Sequence, residues 1–128
     1  MSLQTLVIVL SAGFFACYGL AFSLSPAAMS LLVTGAEPTG ASALVDFRAT
    51  YGGMSLAVGI TVYYLHAIRQ SHAALVVTIM VLMCMAATRT VGLMVEGSGN
   101  VLMYVYLALE LLGSALAYIA MKQGAEGV

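Results

Sequence analysis

Arg48, Arg89 and Glu110 stand inside stretches otherwise apolar enough to cross a bilayer. A charge at bilayer depth costs on the order of 3 kcal/mol by insertion scales and more by simulation. Three such groups must pair with one another or be held for a ligand. Guanidinium groups present planar, forked donors that suit carboxylates and polar headgroups. A carboxylate between arginines can also be tuned for proton transfer. Tyr51 and Tyr106 add phenolic hydroxyls, and Tyr106 precedes Glu110 by about one helical turn. Three chemistries are therefore open: a structural ion-pair network, a site for an anionic or lipid-like molecule such as a fatty acid or a quinone-like carbonyl compound, and acid–base catalysis by Glu110. Few other polar residues lie at that depth, so the reading leans away from an enzyme.

Composition says what surrounds these residues. The chain has 128 residues, of which 62% are hydrophobic and 7% charged. A soluble domain carries about 25% charged residues, so this surface is built for lipid. Four Lys and Arg against five Asp and Glu leave a net charge of -1. No basic patch forms, which removes the electrostatic footprint of nucleic-acid binding. Cys17 and Cys84 lie far apart and outside any Cys-x-x-Cys, so buried packing is their default role. His66 and His72 are six residues apart, the wrong spacing for one helical face, and read as solvent-facing groups near a turn. Met80, Met83, Cys84 and Met85 read as packing rather than as copper ligands. No metal site, cofactor motif or phosphate-binding loop is expected.

The elements that must position the charges follow from apolar runs and breakers. The spacing predicts helices over about 3–33 with a break near Pro26, 43–68, 73–95 and 101–121, with a short polar tail over 122–128. The N-terminal run lacks a basic flank and is longer than a signal-peptide core, so it reads as a retained span. Gly35-Ala36-Glu37-Pro38-Thr39-Gly40, Arg69-Gln70-Ser71-His72 and Glu96-Gly97-Ser98-Gly99-Asn100 are the connecting turns. Residues 1–128 are thus expected to form a single all-α, integral membrane four-helix transmembrane bundle. Arg69 and Lys122 fall on one side while Glu37, Asp46 and Glu96 fall on the other, which predicts that both termini are cytoplasmic.

Helical faces say which sides turn inward. Arg48, Gly52, Ser55, Gly59 and Tyr63 follow one another at steps of four, three, four and four, one face of the second helix. Ala12, Ala16, Gly19 and Ser23 form a matching strip on the first, and close approach of the two is expected because small residues let backbones pack in lipid. Arg89, Gly92 and Glu96 share a face of the third helix; Tyr106, Glu110, Gly113 and Ala117 share one of the fourth. Gly92 and Gly113 are read as packing positions alongside Gly52, Ser55 and Gly59. Counted from the outer ends, Arg48 lies about 7 Å deep, Arg89 about 10 Å and Glu110 about 14 Å, at about 1.5 Å per residue. On that count all three charges occupy one layer, with one positive charge in excess unless Asp46 or Glu96 folds in.

Arg48-Ala49-Thr50-Tyr51-Gly52-Gly53, Arg89-Thr90-Val91-Gly92 and Glu110 together give the chain a resemblance that spans nearly its whole length. It resembles a family of small bacterial four-helix membrane proteins known as a domain of unknown function, near the DoxX-like group. The resemblance implies a bundle in a bacterial inner (plasma) membrane and, through its distant relatives, an accessory-subunit role; it supplies no activity. The expected protein is a non-enzymatic binding or accessory protein whose polar cluster (Arg48, Tyr51, Arg89, Tyr106, Glu110) holds an anionic or lipid-like ligand. A structural subunit of a larger membrane complex and a small membrane enzyme using Glu110 are the alternatives. The expected partners are membrane lipids, with a larger membrane protein complex or a second copy of the chain besides them.

Overall fold

Ser2 begins the structure as a helix cap, its hydroxyl accepting from the Thr5 backbone N–H at 3.2 Å. The computed structural model describes residues 1–125, so the last three residues of the expected polar tail lie outside it. The first helix, α1, runs Leu3–Leu24 and ends at Ser25; Pro26 then opens α2, Pro26–Thr34, as the N1 residue. Proline lacks the N–H that would continue the helix, so the chain breaks and restarts there. Gly35, in the left-handed region at φ 82°, closes α2 with its N–H on the Leu31 carbonyl.

The second predicted segment is helical throughout from Ala41 to Ala67 but not uniformly wound. It comprises α3 (Ala41–Phe47), a π-helical stretch over Arg48–Gly53 and α4 (Met54–Ala67). The wider winding shows where the Met54 N–H reaches the carbonyl of Ala49, five residues back. Arg48-Ala49-Thr50-Tyr51-Gly52-Gly53 is thus itself the π-helical stretch. A tight turn follows, with Arg69 left-handed at φ 64°. The Gln70 N–H meets the Leu65 carbonyl at 2.8 Å and the Arg69 N–H meets the His66 carbonyl at 3.0 Å, the paired bonds of a Schellman cap.

Helix α5 covers Ser71–Glu96 and α6 covers Val101–Ala125. The latter continues past the expected end at Met121 because Lys122 and Gln123 are good helix formers. Asn100 caps α6 by accepting from the Met103 N–H at 3.2 Å, while its amide donates to the Val33 carbonyl at 2.9 Å and so ties α2 to the start of α6. No strand occurs among the described residues. Helices α1, α5 and α6 are each long and apolar enough to cross a membrane.

Two pairs of helices dominate the packing, α1 with α4 and α5 with α6. Between α1 and α4 the backbones nearly touch: a Cβ on Gly59 would lie 2.8 Å from both the Ala12 carbonyl oxygen and the Ala16 nitrogen. A Cβ on Gly19 would lie 2.7 Å from the Gly52 carbonyl oxygen, and one on Gly52 would lie 2.9 Å from the Ser23 nitrogen. Gly113 abuts Leu82 across the α5–α6 contact. Gly92 makes no such approach, with open space where its Cβ would be. It lies on the face of α5 that carries Arg89, but no neighbour comes close enough there to require a glycine.

The solid core joins Val7 and Ile8 of α1, Val62 of α4, Ala74 and Leu75 of α5, and Ala117 and Ala120 of α6. These residues gather where α1 and α5 begin and where α4 and α6 end. Large apolar side chains cover the outside of the bundle, among them Leu10, Ile60, Met80 and Leu112, all more than 60% exposed. In water such a surface would aggregate; in lipid it is matched to its solvent.

Candidate functional site

Arg89 leaves the face of α5 that meets α6, and Glu110 answers from α6 as one of the few buried polar side chains, 4% exposed. The guanidinium grips the carboxylate by a fork. Nε donates to Oε1 and Oε2 at 3.1 Å each, and Nη2 donates to Oε1 at 2.6 Å. Such charge-assisted, doubly bonded pairs are the strong class of hydrogen bond, and in hydrocarbon each partner needs the other. The remaining amino group, Nη1, has only the Met103 sulfur at 3.3 Å, a weak acceptor. The Tyr106 ring lies under the guanidinium, with Cζ 5.3 Å from its centroid, a cation–π contact.

This pair forms part of the wall of a cavity of about 420 Å³ between α1, α5 and α6. Among the described residues, Arg89 and Glu110 are the only charged ones lining it; Ser11, Tyr18, Ser55 and Tyr106 supply hydroxyls, and the rest of the described wall is apolar. Leu10 and Phe14 of α1 and Leu109, Leu112 and Leu116 of α6 line the cavity while being 47–63% exposed themselves. The opening therefore lies in the side of the bundle, between α1 and α6, rather than at an end. Ser55, read from spacing as a packing residue, reaches the cavity wall instead; Leu56 is the residue that meets Gly19.

Arg48 stands apart from the pair. Its Nη1 donates to the Ser23 carbonyl and, at 3.4 Å, to the Leu24 carbonyl, both at the C-terminal end of α1. The break before Pro26 leaves these carbonyls without helical donors, and a cation there also meets the negative end of the helix dipole. Depth alone put Arg48 in the layer of Glu110; direction puts it on another helix end. Asp46, one of its suggested partners, accepts instead from the Thr50 hydroxyl at 3.3 Å. Among the described residues, Arg89–Glu110 is the one salt bridge. Replacing Arg48 with Leu should cost about 1 kcal/mol, read as a lower melting temperature in detergent, with Arg48→Lys keeping most of it.

Tyr51 likewise stays with Arg48's side of the bundle, stacked on Phe22 at 5.2 Å and Phe47 at 5.0 Å between ring centroids. Tyr18 connects the two regions. It lies 4.9 Å from Phe22 and edge-on to Tyr106 at 6.4 Å. Tyr18, Met103 and Ser11 were not singled out from spacing, although one signal was present: Phe14, Tyr18 and Phe22 recur at steps of four along α1, an aromatic stripe beside its small-residue strip.

No curated protein and no solved structure was found to match the chain. A family model does match, over residues 3–121, which is nearly the whole of it. The chain belongs to the family described as Domain of unknown function (DUF4345).

Proposed function

We propose that this is a non-enzymatic membrane protein that binds a lipid-like molecule in the lateral cavity between α1 and α6, with the polar part of the ligand beside Arg89 and Glu110. One observation carries the reading: a cavity of about 420 Å³, lined mostly by apolar residues that are in part exposed on the side of the bundle, holds the Arg89–Glu110 pair and four hydroxyl groups in its wall. That combination, mostly apolar lining with a few convergent polar groups, is the general form of a small-molecule site. A ligand dissolved in the bilayer reaches it by sideways diffusion, without crossing water. Both oxygens of Glu110 accept from Arg89, which suits an electrostatic anchor better than a group that exchanges protons.

The same proposal sets the protein in the membrane. The continuous helix over Ala41–Ala67 serves as a fourth span, being about 40 Å long at about 1.5 Å per residue. Both termini and the Arg69 turn face the cytoplasm, in keeping with Arg69 and Lys122 at the end of the bundle that holds the core. The membrane is the bacterial inner membrane. Association with a second copy or with a larger complex uses the remaining lipid-facing surface.

A cavity-filling substitution tests the binding. Ser11→Phe places a ring in the cavity on a residue that makes no charged contact. Protein extracted gently from the membrane, then stripped with organic solvent, should release a recurrent lipid species by mass spectrometry. The Ser11→Phe protein should release several-fold less of it at an equal melting temperature. Equal amounts from both proteins would remove the cavity as the binding site.

A further inference from the structure

The charge around the cavity points to a class of ligand. Among the described residues, Arg89 and Glu110 are the only charged ones in its wall, and they neutralise one another. Arg48, the cation that would have left an excess positive charge, sits on the carbonyls of Ser23 and Leu24. Moving an anionic headgroup from the membrane surface into this site would therefore cost desolvation with no net countercharge to repay it.

What the wall does offer is neutral hydrogen bonding. Among the described residues, the hydroxyls of Ser11, Tyr18, Ser55 and Tyr106 make no hydrogen bond within the chain, and Nη1 of Arg89 has only a thioether sulfur. Hydroxyls both donate and accept, and the amino group donates. A carbonyl or hydroxyl head satisfies them without adding charge. The volume, near the lower end of the range for small-molecule sites at about 300–1,000 Å³, suits a single chain or ring system.

Resting on the binding reading above, we infer that the cavity selects an uncharged single-chain amphiphile with a carbonyl or hydroxyl head over an anionic one of the same chain length. The selection comes from the self-neutralised Arg89–Glu110 pair, and the head is held by the wall hydroxyls and Nη1. Removing the Glu110 charge converts the wall to a net cation and should reverse the order.

The test uses the full chain in phosphatidylcholine nanodiscs with three photoactivatable probes of equal chain length: an alcohol, a ketone and a permanently charged sulfonate. Crosslinks are mapped to peptides of α1 and α6 by mass spectrometry. The alcohol and the ketone should label the cavity wall about tenfold more than the sulfonate, a difference of about 1.4 kcal/mol. Sulfonate labelling equal to or above that of the neutral probes overturns the inference and leaves the binding reading standing. No wall labelling by any probe above that of the lipid-facing Ile60 region overturns both. In folded Glu110→Gln protein, sulfonate labelling should rise several-fold relative to alcohol; an unchanged ratio would show that the ion pair does not set the selectivity. Should that variant not fold, the comparison on the native chain decides alone.

Discussion

Glu110→Gln should lower the stability of the detergent-solubilised protein by about 3 kcal/mol, seen as a fall of many degrees in melting temperature. The carboxylate is the acceptor for three contacts from one guanidinium, and among the described residues no other carboxylate pairs with Arg89. Removing it leaves Arg89 charged in an apolar wall, which is the costly way to break a buried pair. The loss sits at the lower end of the range for such pairs because the Arg89 side chain is 19% exposed and can turn toward the opening. Replacing both partners together, as Arg89→Met with Glu110→Leu, should restore most of the stability, since no charge is then stranded. An unchanged melting point in the single variant would show that the pair carries no stability.

Gly59→Ala sets two effects of opposite sign against each other. Alanine is the better helix former by about 1 kcal/mol. The added methyl, however, would lie 2.8 Å from the Ala12 carbonyl oxygen and the Ala16 nitrogen. Both are backbone atoms of α1, so no side chain can rotate away and the helices must part. Overpacking of that kind costs about 1–3 kcal/mol, and separation also opens a gap along the rest of the strip. The net result should be destabilisation. Gly13→Ala is the matched control: nothing lies within 4 Å of its added methyl, so only the helical preference remains and the protein should be as stable or more so. Thermal melts of both variants in one detergent decide the matter, and a stabilised Gly59→Ala would mean that α1 and α4 are not in close contact.

Much of this arrangement was legible in the chain. Arg89 and Glu110 lie at similar depth on neighbouring helices, and neither could be left facing lipid. Pro26 marked the break between α1 and α2. Arg48 was misplaced because counting residues measures distance along a helix and says nothing about direction around the bundle. The clue was Pro26 itself: a helix broken by proline presents bare carbonyls, and an arginine across the interface is a donor for them. The periodic face drawn through Arg48, Gly52 and Ser55 assumed regular α winding. The π-helical stretch over Arg48–Gly53 breaks that assumption, which is why Ser55 faces the cavity while Leu56 meets Gly19. The paired glycines Gly52-Gly53 were a local hint of irregular winding, but they do not say that the turn widens, and the cavity, a gap between helices, has no sequence pattern of its own.

That wider turn has a consequence for how the chain tolerates changes in length. A π turn accommodates an additional residue in a helix whose flanks keep their α pattern. Deleting one residue between Ala49 and Gly53 would let the segment rewind as ordinary α-helix, with α4 still seated on α1 through Gly59. Arg48 would then swing around the helix axis, away from the end of α1. Elsewhere in these helices a deletion would throw every later contact out of phase; here α4 and the elements after it would keep theirs, and the loss would fall on Arg48, the Tyr51 stacking and the Gly52 approach to Ser23.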